Sequence, residues 1–148
     1  AFQVRDRFGY QTVEKIRQAL DIAMYCGFQM DLGGSEDVAI VTGAATFQPV
    51  RNRKVLSLDG SVFGGLTLEA VLYYKTDDAA TPVQVRVRNT TDSTNAALSA
   101  SSTSTTVAEE VVTLTLATGV KSYRLEVMGD AAVAVYAWGY IRLRKVPA

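Results

Sequence analysis

Three groups of side chains in this sequence are of types that do chemistry. They are the adjacent acids Asp77–Asp78 and Glu109–Glu110, the acids Asp31, Glu36 and Asp37, and the aromatic run Tyr136, Trp138 and Tyr140. Paired carboxyls cleave glycosides only when they face each other across a cleft, about 5–10 Å apart. Neighbours on a strand point to opposite faces, and neighbours in a turn face water, so each acidic pair reads as a solvated turn or edge feature. Asp31, Glu36 and Asp37 offer the oxygen ligands calcium prefers, but their spacing matches no calcium loop, and no metal is expected.

Other catalytic chemistries lack their parts. The sequence has no histidine and a single cysteine, Cys26. Imidazole-based triads and His/Cys zinc sites are therefore excluded, as is an intramolecular disulfide. Cys26 reads as a small buried apolar residue. Gly33, Gly34, Gly64 and Gly65 sit in no strand–loop–helix phosphate-binding pattern, so no nucleotide cofactor is expected. The expectation is a non-enzymatic chain with no cofactor.

Charge narrows the partners. Lys plus Arg and Asp plus Glu balance at 15 each. Nucleic acid needs a basic field, and the cluster Arg51, Arg53 and Lys54 has none around it, so nucleic acid is not an expected partner. A neutral protein is poorly protected from self-association, which favours work inside an assembly. No apolar run approaches the ~20 residues of a membrane span, and no export signal opens the sequence. The expectation is a soluble protein made in a cytoplasm and not exported by a standard signal, with no membrane partner. Asn89-Thr90-Thr91 matches a glycosylation sequon, which without export has no use.

Two kinds of element must position these residues. Thr12 is a plausible N-cap for a helix over 12–26, with Val13, Ile16, Leu20 and Ala23 recurring at spacings of three and four and Gly27 as its stop. That seam either docks on the chain's own domain or meets its copies around a symmetry axis. Asp31 to Asp37, with Gly33 and Gly34, reads as a hinge closing an arm over 1–37. From Val38 the period changes to two, and 38–148 reads as a β-sandwich.

The expected strands cover Val38–Thr42, Ala45–Val50, Lys54–Leu58, Leu66–Tyr74, Pro82–Arg88, Val107–Leu116, Ser122–Met128 and Ala131–Val146. Asp59-Gly60 and Gly129-Asp130 read as hairpin turns. Val83, Val85 and Val87 should face in, with Gln84, Arg86 and Arg88 out. Asn89 to Thr106 reads as a long polar loop with, at most, a short strand at Ala97 to Ala100. About eight strands, short turns and no helical crossovers imply a mainly β, jelly-roll type sandwich with an N-terminal amphipathic helix.

The last strand is the most informative. Val133, Val135, Ala137, Ile141 and Leu143 share one face; Tyr136, Trp138 and Tyr140 share the other, followed there by Arg142 and Arg144. Such a strand is expected to be covered on both faces. The aromatic stripe is open to three readings: cover by the chain's own helix or loops, a subunit interface, or a platform for sugar rings. The interface candidates are Val13, Ile16, Leu20 and Ala23 on the helix, and Tyr136, Trp138, Tyr140 and Arg142 on the strand.

The runs "VQVRVRNTTDSTNAALSASSTSTT", "VVTLTLATGVKSYRLEVMGD" and "AVYAWGYIRLR" resemble the small β-sandwich domains of tailed-bacteriophage virion proteins. The segment "FGYQTVEKIRQALD" resembles the anchoring helix that precedes such domains. The resemblance is one of pattern and carries over no functional residue. It implies a jelly-roll head-decoration (cement), head-fibre or tail-fibre protein located in the virion, forming a homotrimer whose arm grips the major capsid protein or another virion protein.

Overall fold

The computed structural model describes residues 29–41, 45–64, 66–130 and 132–144. The expected helix over 12–26, its seam Val13, Ile16, Leu20 and Ala23, and Cys26 lie outside the described residues. The nine described strands are β1 (Gln29–Val41), β2 (Gln48–Pro49), β3 (Leu56–Asp59), β4 (Leu68–Thr76), β5 (Gln84–Asn89), β6 (Thr94–Leu98), β7 (Ala108–Leu114), β8 (Val120–Met128) and β9 (Ala134–Leu143). Among the described residues, no helix is long and apolar enough to cross a membrane.

The strands pair antiparallel in two sheets. One runs β1-β9-β4-β7; the other runs β2-β8-β5-β6, with β3 also on β8. Strands β2 and β3 pair with different stretches of β8, Glu126–Val127 and Val120–Tyr123, so they occupy one position in two pieces. Counted that way, the two sheets have the alternating winding of a jelly roll.

Period-two burial explains the layers. Leu68, Ala70, Leu72 and Tyr74 of β4 face the core with Val135, Ala137 and Ile141 of β9. Val85 and Val87 of β5, and Tyr123, Leu125 and Val127 of β8, meet them from the other sheet, all fully buried. Tyr123 brings a hydroxyl into this layer, and it accepts the Ala117 N–H at 3.0 Å. Buried polar side chains at strand ends are likewise satisfied. Asn89 donates to Asp92 at 3.0 Å, and Ser99 accepts the Val85 N–H at 2.9 Å.

Four sequence expectations are corrected. Asp31 to Asp37 is not a hinge: it is the middle of β1, paired to β9 through Gly33↔Gly139, Gly34↔Trp138 and Ser35↔Ala137. Its glycines serve a bulge, with φ of 79° at Gly33 and 88° at Gly34. The sandwich thus begins by Gln29. Asp59-Gly60 makes no hairpin; Asp59 Oδ1 caps a single 3-10 turn, Gly60–Phe63, and accepts the Gly119 N–H at 3.0 Å. Bonds from the Ser61 hydroxyl and amide hold the Asp59 carboxyl below its usual range.

Gly129-Asp130 does not fold β9 back on β8, because those strands belong to different sheets and the chain crosses the sandwich there. The short strand within the loop Asn89 to Thr106 is Thr94–Leu98, not Ala97 to Ala100. Strand β6 pairs with β5 across a bulge between Val87 and Arg88, which lets the consecutive Ala96 and Ala97 both be buried.

Candidate functional site

The outer face of the four-stranded sheet is set by β9. Because Val135, Ala137 and Ile141 are buried in the core, Tyr136, Trp138, Tyr140 and Arg142 alternate onto the opposite side. Register then brings partners from β4: Lys75 beside Tyr136, Tyr73 beside Trp138, Val71 beside Tyr140, and Glu69 beside Arg142. Strand β7 adds Glu109, Val111 and Thr113, and β1 adds Asp31 beside Tyr140. Of the candidates read from sequence, these four β9 residues come together on one face.

The rings pack against one another. Tyr73 and Trp138 stack with centroids 5.6 Å apart and planes 11° apart; Tyr140 leans on Tyr73 at 6.4 Å and 34°. Lys75 Nζ lies 4.6 Å from the Tyr136 ring centre, and the Tyr136 hydroxyl donates to Asp77 at 3.2 Å. Val71 has no exposed surface although it is on this side, away from the core cluster. A neutral-hydroxyl environment follows: burial, then Tyr140, raises the Tyr73 pKa, and burial, then Asp77, raises that of Tyr136. Burial works against the Arg142 charge, but the hydrogen bond to Glu69 at 3.3 Å, the charge of that carboxylate and the neighbouring Tyr140 together raise the pKa.

On the β1 side, the cross-strand neighbour of Trp138 is Gly34, which has no side chain to cover the indole. An open depression of about 400 Å³ lies there, lined by Gln29, Asp31, Gly33, Gly34, Trp138, Gly139 and Tyr140. Asp31 Oδ1 accepts the Gly33 N–H at 2.8 Å, which ties the bulge to the rim of this depression.

The other sequence candidates fall elsewhere. Asp77 serves Tyr136, while Asp78 closes its own turn by accepting from Ala80 N and the Thr81 hydroxyl, each at 3.0 Å. Glu109 points out beside Tyr73, whereas Glu110 accepts the Tyr74 hydroxyl at 2.9 Å and the Ala100 N–H at 3.0 Å. Neither pair sets two carboxyls across a cleft. Among the described residues, no group of three or more His, Cys, Asp or Glu side chains is placed to hold a metal ion. Arg51 and Arg53 edge a separate depression of about 510 Å³ with Ile40, Gln48 and Val50.

Burial, then Glu110, pushes the Tyr74 hydroxyl up to about 12. A pKa raised in the folded state contributes stability that is intact below the unfolded value near 10 and is lost as pH rises through the folded value. Stability is expected to fall between about pH 10 and 12, and Tyr74→Phe to flatten that fall in urea titrations across the window.

Two features were not singled out from the sequence. Tyr73 was readable, since in Tyr73–Tyr74 one ring must face out. The second is a cluster on the outer face of the five-stranded sheet. Glu126, 2% exposed, receives Arg86 at 2.7 Å on one oxygen and Arg124 at 2.7 Å on the other. The Phe47 ring packs 4.0 Å from the Arg86 guanidinium carbon. Its signal was the alternation Arg86, Arg88 on one strand and Arg124, Glu126 on another.

No family model matches the chain, and no curated protein matches it. Similar solved structures include one of infectious bursal disease virus, Gx strain, at 10% identity and TM-score 0.48, covering 78% of this chain and 31% of that one. The chain thus spans under a third of that viral protein. A carbohydrate-binding module, CBM36 in complex with calcium and xylotriose, is 13% identical with TM-score 0.43, covering 79% and 99%. A Bacillus endospore appendage pilus protein is 16% identical with TM-score 0.42, covering 81% and 88%. At such overlaps these likenesses fix no family.

Proposed function

We propose that this chain is a non-enzymatic structural protein of a tailed-phage particle, decorating and stabilising the capsid shell as a homo-oligomer. The carrying observation is how the aromatic face is built. Tyr73 and Trp138 turn ring faces toward each other, so ring edges, set among Asp31, Glu69, Lys75, Glu109 and Arg142, meet whatever lies above. Aromatic residues and arginine are the types enriched in protein interfaces, whereas a sugar ring stacks on an open ring face. Binding to assembled shell and not to free subunits stabilises the shell by mass action, and several copies multiply weak contacts.

The test is absolute mass by light scattering over a concentration series. The subunit is 16.0 kDa, and a closed trimer is expected near roughly 48 kDa. Trp138→Ala is expected to raise the dissociation constant about 30-fold, the effect of a central aromatic anchor worth about 2 kcal/mol. A wild-type chain that stays monomeric, and does not sediment with capsids, overturns the reading.

A second reading, a glycan- or receptor-binding module of a fibre, is favoured by the depression on the uncovered side of Trp138. It expects Trp138→Ala to weaken glycan retention without altering mass. Protection of Trp138 from a soluble fluorescence quencher overturns it.

A further inference from the structure

We propose that copies of this chain dock head to tail, the arginine-bearing face of the five-stranded sheet in one copy seating on the aromatic face of the next. The inference rests on the homo-oligomer proposed above and names its contacting surfaces.

Val85, Val87, Leu125 and Val127 are buried in the core, which alternates Arg86, Arg88, Arg124 and Glu126 to the outside of that sheet. Register pairs Arg86 with Glu126 and Arg88 with Arg124. Three arginines thus stand around one carboxylate, whose two oxygens are taken by Arg86 and Arg124. Arg88 donates to Asn95 at 2.9 Å, and among the described residues no carboxylate reaches it within ion-pair distance. Like charges directly opposite across strands repel, so this face gains from a partner that brings negative charge and flat apolar surface.

The far side of the same sandwich carries both. Asp31, Glu69, Asp77 and Glu109 stand there against Lys75, Arg142 and Arg144. Glu69 is already paired with Arg142 and Arg144, at 3.3 and 3.9 Å. Asp31 and Glu109 are exposed, beside the rings of Tyr140 and Tyr73. Guanidinium groups pack on aromatic rings and fork onto carboxylates, which makes this surface their complement.

Joining two arginine-bearing faces would set arginine against arginine, whereas the aromatic face offers them the exposed carboxylates of Asp31 and Glu109. Joining unlike faces opposes opposite charges. Because the two faces lie on opposite sides of the sandwich, each copy engages two neighbours, and such a contact builds an open stack unless its rotation closes a ring.

The experiment compares Arg88→Glu and Glu109→Arg, alone, mixed in equal amounts and combined in one chain, by light scattering over concentration. Thermal melts verify that each is folded. Each single variant is expected to need about tenfold more protein or higher to assemble, as when like charges are set across an interface. The combined variant recovers wild-type assembly. In the equal mixture unlike copies associate and must alternate, so contact recovers in even-numbered species while a closed ring of three does not form. Wild-type assembly is expected to weaken as salt screens the contact. Single variants that assemble like wild type, or a mixture in which the two variants do not associate with each other, overturn this docking while leaving self-association standing. A wild-type chain monomeric throughout overturns both.

Discussion

Gly34→Ala is expected to lower unfolding free energy by about 3 kcal/mol or more, from a strained left-handed backbone and a steric overlap that only backbone movement relieves. Gly34 has φ of 88°, and a Cβ there would fall 2.1 Å from the Ala137 carbonyl oxygen and 2.7 Å from Trp138 Cα. Those atoms belong to the backbone of β9, so no side-chain rotation removes the overlap. The edge strand must move, and it carries Leu32, which has no exposed surface. In urea the midpoint should drop by about 1–2 M for a domain of this size.

Gly64→Ala is the matched control. A Cβ there would have the Ser61 carbonyl oxygen as nearest atom, at 3.6 Å, and φ is −42°, so the change is expected to be neutral or slightly stabilising through the unfolded chain. Equal losses in the two variants would mean that the bulge is not what fixes β1 against β9. The functional consequence is local. Gly34 sets the bare floor beside Trp138, so a folded Gly34→Ala chain should also show altered Trp138 fluorescence.

The same bulge shows what the sequence made legible and what it hid. Strands β4, β5, β7, β8 and β9 follow from alternation because each has one face in the core, and burial enforces a period of two. The aromatic stripe of β9 was readable for that reason. What escaped were places where a tertiary contact overrides a local signal. Asp31-Leu32-Gly33-Gly34 carries every mark of a turn, yet β9 supplies a ladder and the glycines absorb a register shift. Asp59-Gly60 carries the marks of a hairpin, yet Gly60 donates to the Ala117 carbonyl at 2.9 Å, and the capped turn redirects the chain. Strand β6 is short, polar and alanine-rich, and gains its conformation from β5 rather than from propensity.

The site divides the same way. Tyr136, Trp138, Tyr140 and Arg142 share a face by spacing alone, but the Tyr73 partner of Trp138 required the β4–β9 register. Register between strands distant in sequence depends on packing that no local pattern states. The arginine cluster depended likewise on pairing β5 with β8, whose partners Arg86 and Glu126 are 40 positions apart.

That cluster yields a prediction in which removal of the cation matters more than removal of the anion. Arg86→Ala is expected to lower stability by about 3 kcal/mol or more, because it strips one oxygen of a buried carboxylate of its partner. Glu126 is 3% exposed at its side chain, against 18% for Arg86 and 33% for Arg124. The carboxylate therefore has little access to water when a partner is lost, while the arginine heads do. Glu126→Leu removes the group that burial penalises and lets both arginines rehydrate, so its expected loss is smaller, within about 1.5 kcal/mol. The decisive variant is Arg86→Ala combined with Glu126→Leu. If the buried charge is the source of the cost, the pair should be more stable than Arg86→Ala alone in urea titration. Additive losses would place the cost instead in the packing of Arg86 on Phe47, worth about 0.5–1 kcal/mol at an exposed site. Glu126→Leu also leaves three arginines with no carboxylate among them, so under head-to-tail docking it tightens self-association even while the fold loses stability. A merely structural role for the cluster would not separate those two readouts.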